Sequence, residues 1–150
     1  AKAAKENNTR IHIASGAIGG FDVLRTATLM GNAKVTFDTE KSPRPLTFTP
    51  LYSPELQNTK KQVFSGTATQ AIAILPTQVN VSVAASIASV GPDNVGVTIT
   101  STPDYIGDRH IIKIKNDQVD AEVNVYSSTP EIAGWSVIET LQNIVSPIVF

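Results

Sequence analysis

Two histidines are the side chains of this chain best suited to acid–base chemistry near neutral pH, because imidazole titrates there. His110 begins an apolar strand pattern directly after the charged, turn-forming segment 105–109. Strand ends that face a cleft are suitable places for acid–base groups, so His110 is a candidate catalytic residue. His12 lies between two isoleucines and is predicted to be packed or at a strand edge. Two histidines without ligand spacing do not predict a metal site.

Other polar residues could hold a substrate. Asn80 interrupts an apolar run between Val79 and Val81, which fits a helix cap, a satisfied buried amide or a substrate-binding side chain. Lys41 and Arg44 flank prolines and could bind a carboxylate, whereas the ordinary place of such charges is in solvent.

A glycine-rich segment, S-G-A-I-G-G at residues 15–20, lies between an alternating run and an apolar-periodic one. Glycines let a ligand or another backbone come close, and free N–H groups at a helix start attract negative charge. The segment is therefore either a loop that faces a ligand or a tight turn for close packing. Its G-x-x-G-G spacing is not the G-x-G-x-x-G of a dinucleotide site, and no G-x-S-x-G nucleophile motif occurs.

The bulk composition limits the class of protein. The chain has 150 residues, a net charge of −1 and no cysteine. The length is enough for one domain with a core. The net charge offers no basic excess for nucleic acid or anionic lipid, and the absence of cysteine excludes disulfides and thiolate catalysis. No apolar run approaches the roughly 20 residues that span a bilayer. We expect no nucleic-acid or membrane partner and a cytoplasmic location.

Hydrophobic periodicity predicts the elements that must position these residues. We expect the end of a helix at 1–8, strands at 10–14 and 33–39, and a helix between them from about residue 19 to 30. Prolines predict an irregular segment from 40 to 61. Helices are predicted at 67–75, 78–90 and 133–145, the last with Trp135, Ile138 and Leu141 facing inward. A strand at 95–101 and a hairpin of 110–115 with 119–126, joined by Asn116 and Asp117, complete the prediction. The fold class is α+β, with a mixed, largely antiparallel sheet and helices packed on one face.

Several segments together resemble one enzyme family. S-G-A-I-G-G-F-D at 15–22 closely resembles the P-S-G-A-I-(A/G)-G-L-D signature of the L-aspartate dehydrogenases. T-E-K-S-P at 39–43, V-F-S-G-T-A at 63–68, L-P-T-Q-V-N-V at 75–81 and D-R-H-I-I at 108–112 are similar to further motifs of that family, in the same order. The chain is identified as a divergent member, since it departs from the family pattern at these positions: Ala14, Glu40, Ser42, Asp108, Ile111 and the segment 130–133.

The resemblance implies a domain organisation. In that family a dinucleotide-binding domain precedes the matched region, so residues 1–9 would be the end of a linker helix. Residues 10–150 would form the substrate-binding and dimerisation domain, similar to the C-terminal domain of glyceraldehyde-3-phosphate dehydrogenase. The absence of an initiator Met agrees with a chain that begins part-way through a longer protein.

The resemblance also implies an activity, the NAD- or NADP-dependent oxidation of L-aspartate through iminoaspartate, with a place in NAD biosynthesis. His110 would be the acid–base residue, Asn80 and Lys41 would hold substrate, and Ser15, Gly16 and Ala17 would lie against the nicotinamide. We expect a homodimer, a shared hollow for His110, Asn80 and the 15–20 loop, and little activity from these residues alone. The alternatives are a non-catalytic dimerisation module and a dehydrogenase for another amino acid, with a pocket changed by Glu40 and Ile111.

Overall fold

A computed structural model of the chain describes residues 1–149 and contains one five-stranded mixed sheet. The strands are β1 (Lys34–Lys41), β2 (Lys61–Thr67), β3 (Val95–Ser101), β4 (Asp108–Lys115) and β5 (Asp120–Ser127), in the spatial order β2-β3-β1-β4-β5. The β1–β3 pair is parallel, and the other three pairs are antiparallel. The predicted α+β class with a mixed, largely antiparallel sheet is confirmed.

One face of the sheet forms the core. Along β1, Val35 and Phe37 point inward while Thr36 is exposed, and β3 and β4 alternate in the same way. This alternation follows from the two-residue period of a strand. The helices α2 (Phe21–Leu29), α3 (Ala68–Ile74) and α4 (Asn80–Ile87) cover the inward face and add Leu24, Ala71 and Ala85 to the core.

Local signals explain where the helices begin and end. Thr67 and Gln70 form a capping box at the start of α3, in which each side chain binds the backbone N–H of the other residue. Such a box satisfies two N–H groups that a helix start would leave free. Two short 3₁₀ helices, Arg44–Leu46 and Pro54–Gln57, are the only helical turns in the proline-rich segment between β1 and β2 among the residues described. The predicted irregular segment is confirmed.

The hairpin between β4 and β5 is confirmed, but its connection is longer than predicted. Four residues, 116–119, separate the strands. Asn116 Oδ1 accepts hydrogen bonds from the N–H groups of Gln118 and Val119, and Asn116 N–H donates to the carbonyl of Val119. The asparagine side chain therefore organises a wider turn than the two-residue form.

Two predictions about the ends of the chain are wrong. Residues 10–14 form no strand, and Ile11 and Ile13 are exposed. The last helix, α5 (Glu131–Val145), forms as predicted, but Trp135, Ile138 and Leu141 are exposed rather than inward. In both segments the apolar pattern is present and the described residues offer it no partner to pack against. At the N-terminus, α1 (Lys2–Glu6) ends at Asn7 as expected.

Among the residues described, no helix is long and apolar enough to cross a membrane.

Candidate functional site

The strand register brings polar side chains together at one end of the buried face. Thr39 on β1 lies between Ile99 on β3 and His110 on β4. Two residues further along β1, Lys41 lies between Ser101 and Asp108. Because residues two apart on a strand share a face, these two rows form adjacent layers at the end of the core. The apolar core therefore ends in a polar cluster.

His110 is buried in this cluster, with 5% of its surface exposed. Its ring stacks on Phe37, with centroids 5.6 Å apart. Burial, followed by the neighbouring Lys41 ammonium, lowers the pKa of His110 from 6.5 to about 4, while the Asp108 carboxylate raises it in part. The imidazole is therefore neutral at physiological pH and can accept a proton.

Lys41 lies beside His110 and provides a positive charge. Only 12% of its side chain is exposed, and its Nζ atom is 3.9 Å from Asp108 Oδ1. Lys41, His110 and Thr39 line a small cavity of about 20 Å³. The remaining lining residues come from β1, β3, the first 3₁₀ helix, α4 and the segment before α4: Phe37, Leu46, Leu75, Gln78, Val79, Val81, Ser82, Val97 and Ile99.

This pair of groups has a definite chemical capacity. An ammonium with little exposure binds a carboxylate through charge-assisted hydrogen bonds. A neutral imidazole at the same cavity can take a proton from a bound group. The cavity has room for about one water-sized group, so the arrangement suits one end of an anionic substrate that loses a proton during its reaction.

Asn80 lies beside this cavity rather than in its lining. It is the first residue of α4 and is exposed, while its neighbours Val79 and Val81 both line the cavity. The N-cap residue of α4 is Val79, so Asn80 does not cap this helix.

The glycine-rich loop lies at a second, larger hollow of about 1190 Å³. Ser15, Gly19 and Gly20 line it, together with residues of α5. One side of α4 contributes Ala84 and Ile87 to this hollow, while Val81 and Ser82 line the His110 cavity. The structure therefore does not bring the loop, Asn80 and His110 into one shared hollow, because α4 contributes to both and lies between them.

The glycines of this loop serve different purposes. Gly20 has a φ of +74° and a Cβ there would lie 2.5 Å from a Val123 methyl, so close packing requires glycine. Gly16 has a φ of +69° and open space where a Cβ would be. Its N–H donates to Ser136 Oγ at 3.0 Å, which ties the loop to α5. Ala17 follows in the same loop and is half-buried.

Two departures from the family pattern lie away from the cavity. Glu40 and Ile111 point to the face of the sheet opposite His110, since each is one residue removed from an inward-facing neighbour. Glu40 binds Lys60 and Thr102 there, and these hydrogen bonds lower its pKa. Neither side chain therefore lines the His110 cavity, as the alternative of a pocket changed by Glu40 and Ile111 would require.

The sequence analysis did not identify Thr39 and Asp108 as members of the cluster. Their residue types carry no motif of their own. The available signal was the two-residue alternation of a strand. It places Thr39 on the same face of β1 as Lys41, and Asp108 on the same face of β4 as His110.

Comparison with known proteins supplies a family. The model of the family described as "Aspartate dehydrogenase, C-terminal" matches residues 22–144. The L-aspartate dehydrogenase of Methanosarcina acetivorans is 29% identical over 157 residues, and that of Methanococcoides burtonii is 32% identical over 162 residues. Each alignment covers 97% of this chain and 58% of the relative.

The fold has a solved counterpart. The crystal structure of aspartate dehydrogenase from Thermotoga maritima matches 99% of this chain with a TM-score of 0.80 and 28% sequence identity. The match covers 59% of that chain. The present chain thus spans less than two thirds of the length of these relatives.

Proposed function

We propose that this chain, which belongs to the aspartate dehydrogenase C-terminal domain family, is the substrate domain of an NAD- or NADP-dependent L-aspartate dehydrogenase. The observation that carries the proposal is the cavity shared by His110 and Lys41, both of which lie within the matched residues. The relatives are L-aspartate dehydrogenases, which supports aspartate as the substrate.

Lys41 and His110 of the cavity, together with Asn80 beside it, would act on aspartate as follows. The Lys41 ammonium would bind a substrate carboxylate, and Asn80 would contact the substrate from the start of α4. Neutral His110 would accept a proton from the substrate ammonium, which leaves the free amine that can be oxidised. After loss of hydride from Cα gives the imine and His110 releases its first proton to solvent, His110 would accept a proton from the water molecule that adds to the imine carbon. Transfer of that proton to the substrate nitrogen would let ammonia leave with formation of oxaloacetate.

The cofactor would contact this chain at the glycine-rich loop. Gly16 and Gly19 have open space where a Cβ would lie, so a flat ring could approach the backbone beside Ser15 and Ala17. The nicotinamide of NAD or NADP would supply the hydride acceptor. The loop lacks the dinucleotide fingerprint, and so we assign the rest of the cofactor to a separate domain.

We also propose that this dinucleotide-binding domain, as a preceding part of the same polypeptide, packs against the larger hollow. The exposed apolar residues around that hollow support this arrangement, namely Ile11 and Ile13 on one side and Ile144 on the other. Hydride transfer would further require the nicotinamide to reach from this hollow to the His110 cavity, which lies on the other side of α4. Residues 1–9 would then form the end of the linker between the domains.

We propose that a second copy of this chain packs against the outer face of the sheet, which is the face opposite the core. The face presents charges of both signs, including a Lys113–Glu122 pair at 3.3 Å, around the half-buried Ile111. A face that carries both charges suits a two-fold interface, in which the same surface meets itself.

The proposed reaction is tested with the intact polypeptide. NAD or NADP is mixed with L-aspartate and, separately, with L-glutamate, L-alanine and D-aspartate, and reduced nicotinamide is followed by its absorbance. We expect turnover with L-aspartate and at most weak turnover with the others. Reduction with another amino acid alone would correct the substrate, and no reduction with any would contradict the assignment.

A further inference from the structure

Two buried polar atoms lie on directly opposed residues without a hydrogen-bond partner among residues 1–149. Thr39 and His110 pair across the antiparallel β1–β4 ladder, where opposed Cβ atoms are about 4.5–5.5 Å apart. The two residues are 7% and 5% exposed. Neither Thr39 Oγ1 nor His110 Nδ1 makes a hydrogen bond. Since unpaired buried polar groups are destabilising, two on opposed residues suggest a shared purpose.

The cavity gives these atoms a way to interact. Thr39 and His110 both line it, and its volume of about 20 Å³ accommodates one water molecule. A rotation about χ1 of Thr39 or one bridging water is therefore enough to join the hydroxyl to the ring.

Other nearby groups are less suited to bind Nδ1. Ser82 also lines the cavity, but it lies on α4 rather than opposite the imidazole in the sheet, and its hydroxyl already makes a hydrogen bond, to the carbonyl of Val79 at 2.8 Å, whereas Thr39 Oγ1 makes none. Lys41 has only donors. Asp108 lies beside Lys41, and Ser101 belongs to that same layer and is not part of the cavity lining. Thr39 is the hydroxyl that both lines the cavity and opposes the imidazole.

We propose that Thr39 is the positioning residue of His110. Its hydroxyl oxygen accepts a hydrogen bond from Nδ1–H, directly or through one water, and holds the imidazole in a single tautomer. A neutral imidazole has one donor and one acceptor nitrogen, so Nε2 keeps its lone pair. The choice of tautomer rests on the proposed function, because oxidation of an amine requires a group that accepts a proton.

The test is the tautomer of His110 in the 150-residue chain, measured by ¹⁵N NMR of labelled histidine at neutral pH. The chain has only two histidines, and exposed His12 serves as the internal reference. In the wild type we expect the proton of His110 on Nδ1. Thr39→Val should move it predominantly to Nε2, and Thr39→Ser should keep it on Nδ1. Thr39→Ala is a second hydroxyl-free variant in case the valine variant does not fold.

A wild-type proton on Nε2, or a tautomer unchanged in both hydroxyl-free variants, would overturn the proposal. In the intact polypeptide, Thr39→Val should lower kcat for L-aspartate about tenfold, a part of the 10²–10⁴-fold typical of acid–base catalysis. KM should stay within about twofold, and Thr39→Ser should restore kcat. If the proposed function is wrong, the wild type will show no turnover with L-aspartate. The NMR test of the tautomer does not depend on turnover and would still stand. An unchanged kcat in an active Thr39→Val enzyme would count against a positioning role.

Discussion

At the scale of single residues, the ionisation of His110 is controlled by its burial and by the charges beside it. Burial and the Lys41 ammonium both disfavour the imidazolium, and Asp108 compensates only in part. An imidazole that stays neutral well below pH 7 keeps a free lone pair across the physiological range. The same environment couples the protonation of His110 to the stability of the fold.

This coupling predicts how stability depends on pH. Between pH 6.5 and 4 the unfolded chain binds more protons at His110 than the folded chain, whose His110 has a pKa of about 4. The contribution of His110 to the free energy of unfolding therefore falls as pH is lowered through this window. Above the window this contribution does not change with pH. At pH 5 the loss should be about 2 kcal/mol relative to pH 7.5.

Urea unfolding at the two pH values, with wild type and His110→Phe, measures this contribution. Other titrating groups are common to both proteins, so the difference isolates His110. We expect the wild type to lose about 2 kcal/mol more than the variant between pH 7.5 and pH 5. Equal losses would show that His110 titrates alike in the folded and unfolded chains.

Residue types alone could predict part of this site. The chemistry of His110 and Lys41 follows from the imidazole and the ammonium, and both were identified on that basis. Thr39 could not be identified in this way, because a hydroxyl in an alternating strand has no signature. Its importance depends on the register that opposes it to His110.

At the scale of elements, α5 and residues 10–14 carry apolar patterns whose partners are not among the described residues. Periodicity predicts a helix and its apolar stripe, but it does not tell where the covering surface lies. The inward orientation predicted for Trp135 failed for this reason, since its side chain is 65% exposed. The α3 helix was predicted correctly because its capping box forms within its own first turn and its apolar residues are buried against the described part of the chain.

The sole tryptophan of the chain, Trp135, reports on the proposed cover of α5. Acrylamide quenching should be strong in the 150-residue chain and several-fold weaker in the intact polypeptide, where the preceding domain would pack on α5. Subtracting the signal of Trp135→Phe removes any other tryptophan of the longer protein. Equal quenching of Trp135 in both would show that α5 stays uncovered.

At the scale of the whole molecule, the sheet presents one face to the core and leaves the other to solvent. The strand order β2-β3-β1-β4-β5 places β1 at the centre through pairings distant in sequence. The sequence could predict the fold class and the strands β1, β3, β4 and β5, but it predicted no strand at β2, and the resemblance supplied the family. It could not predict the order, which depends on pairings such as β1 with β3 across more than 50 residues.

The open face predicts self-association. Sedimentation equilibrium should give a dimer for the wild type and a shift towards monomer for Ile111→Glu, which places a charge at the centre of that face. Phe48→Glu replaces a fully exposed residue of the proline-rich segment and should leave the dimer intact. A wild-type monomer at high concentration would rule out this role for the face.

The central claim is that the buried imidazole of His110 performs the acid–base chemistry of an aspartate dehydrogenase. The most direct test is kcat/KM for L-aspartate in the intact polypeptide, comparing His110→Ala with Ile112→Ala. Ile112 is buried on the same face of β4, two residues away, and its truncation should lower stability by about 2–5 kcal/mol. We predict that His110→Ala lowers kcat/KM by about 10²–10⁴-fold, while folded Ile112→Ala stays within a few-fold of wild type. Equal activity of the two folded variants would contradict the account.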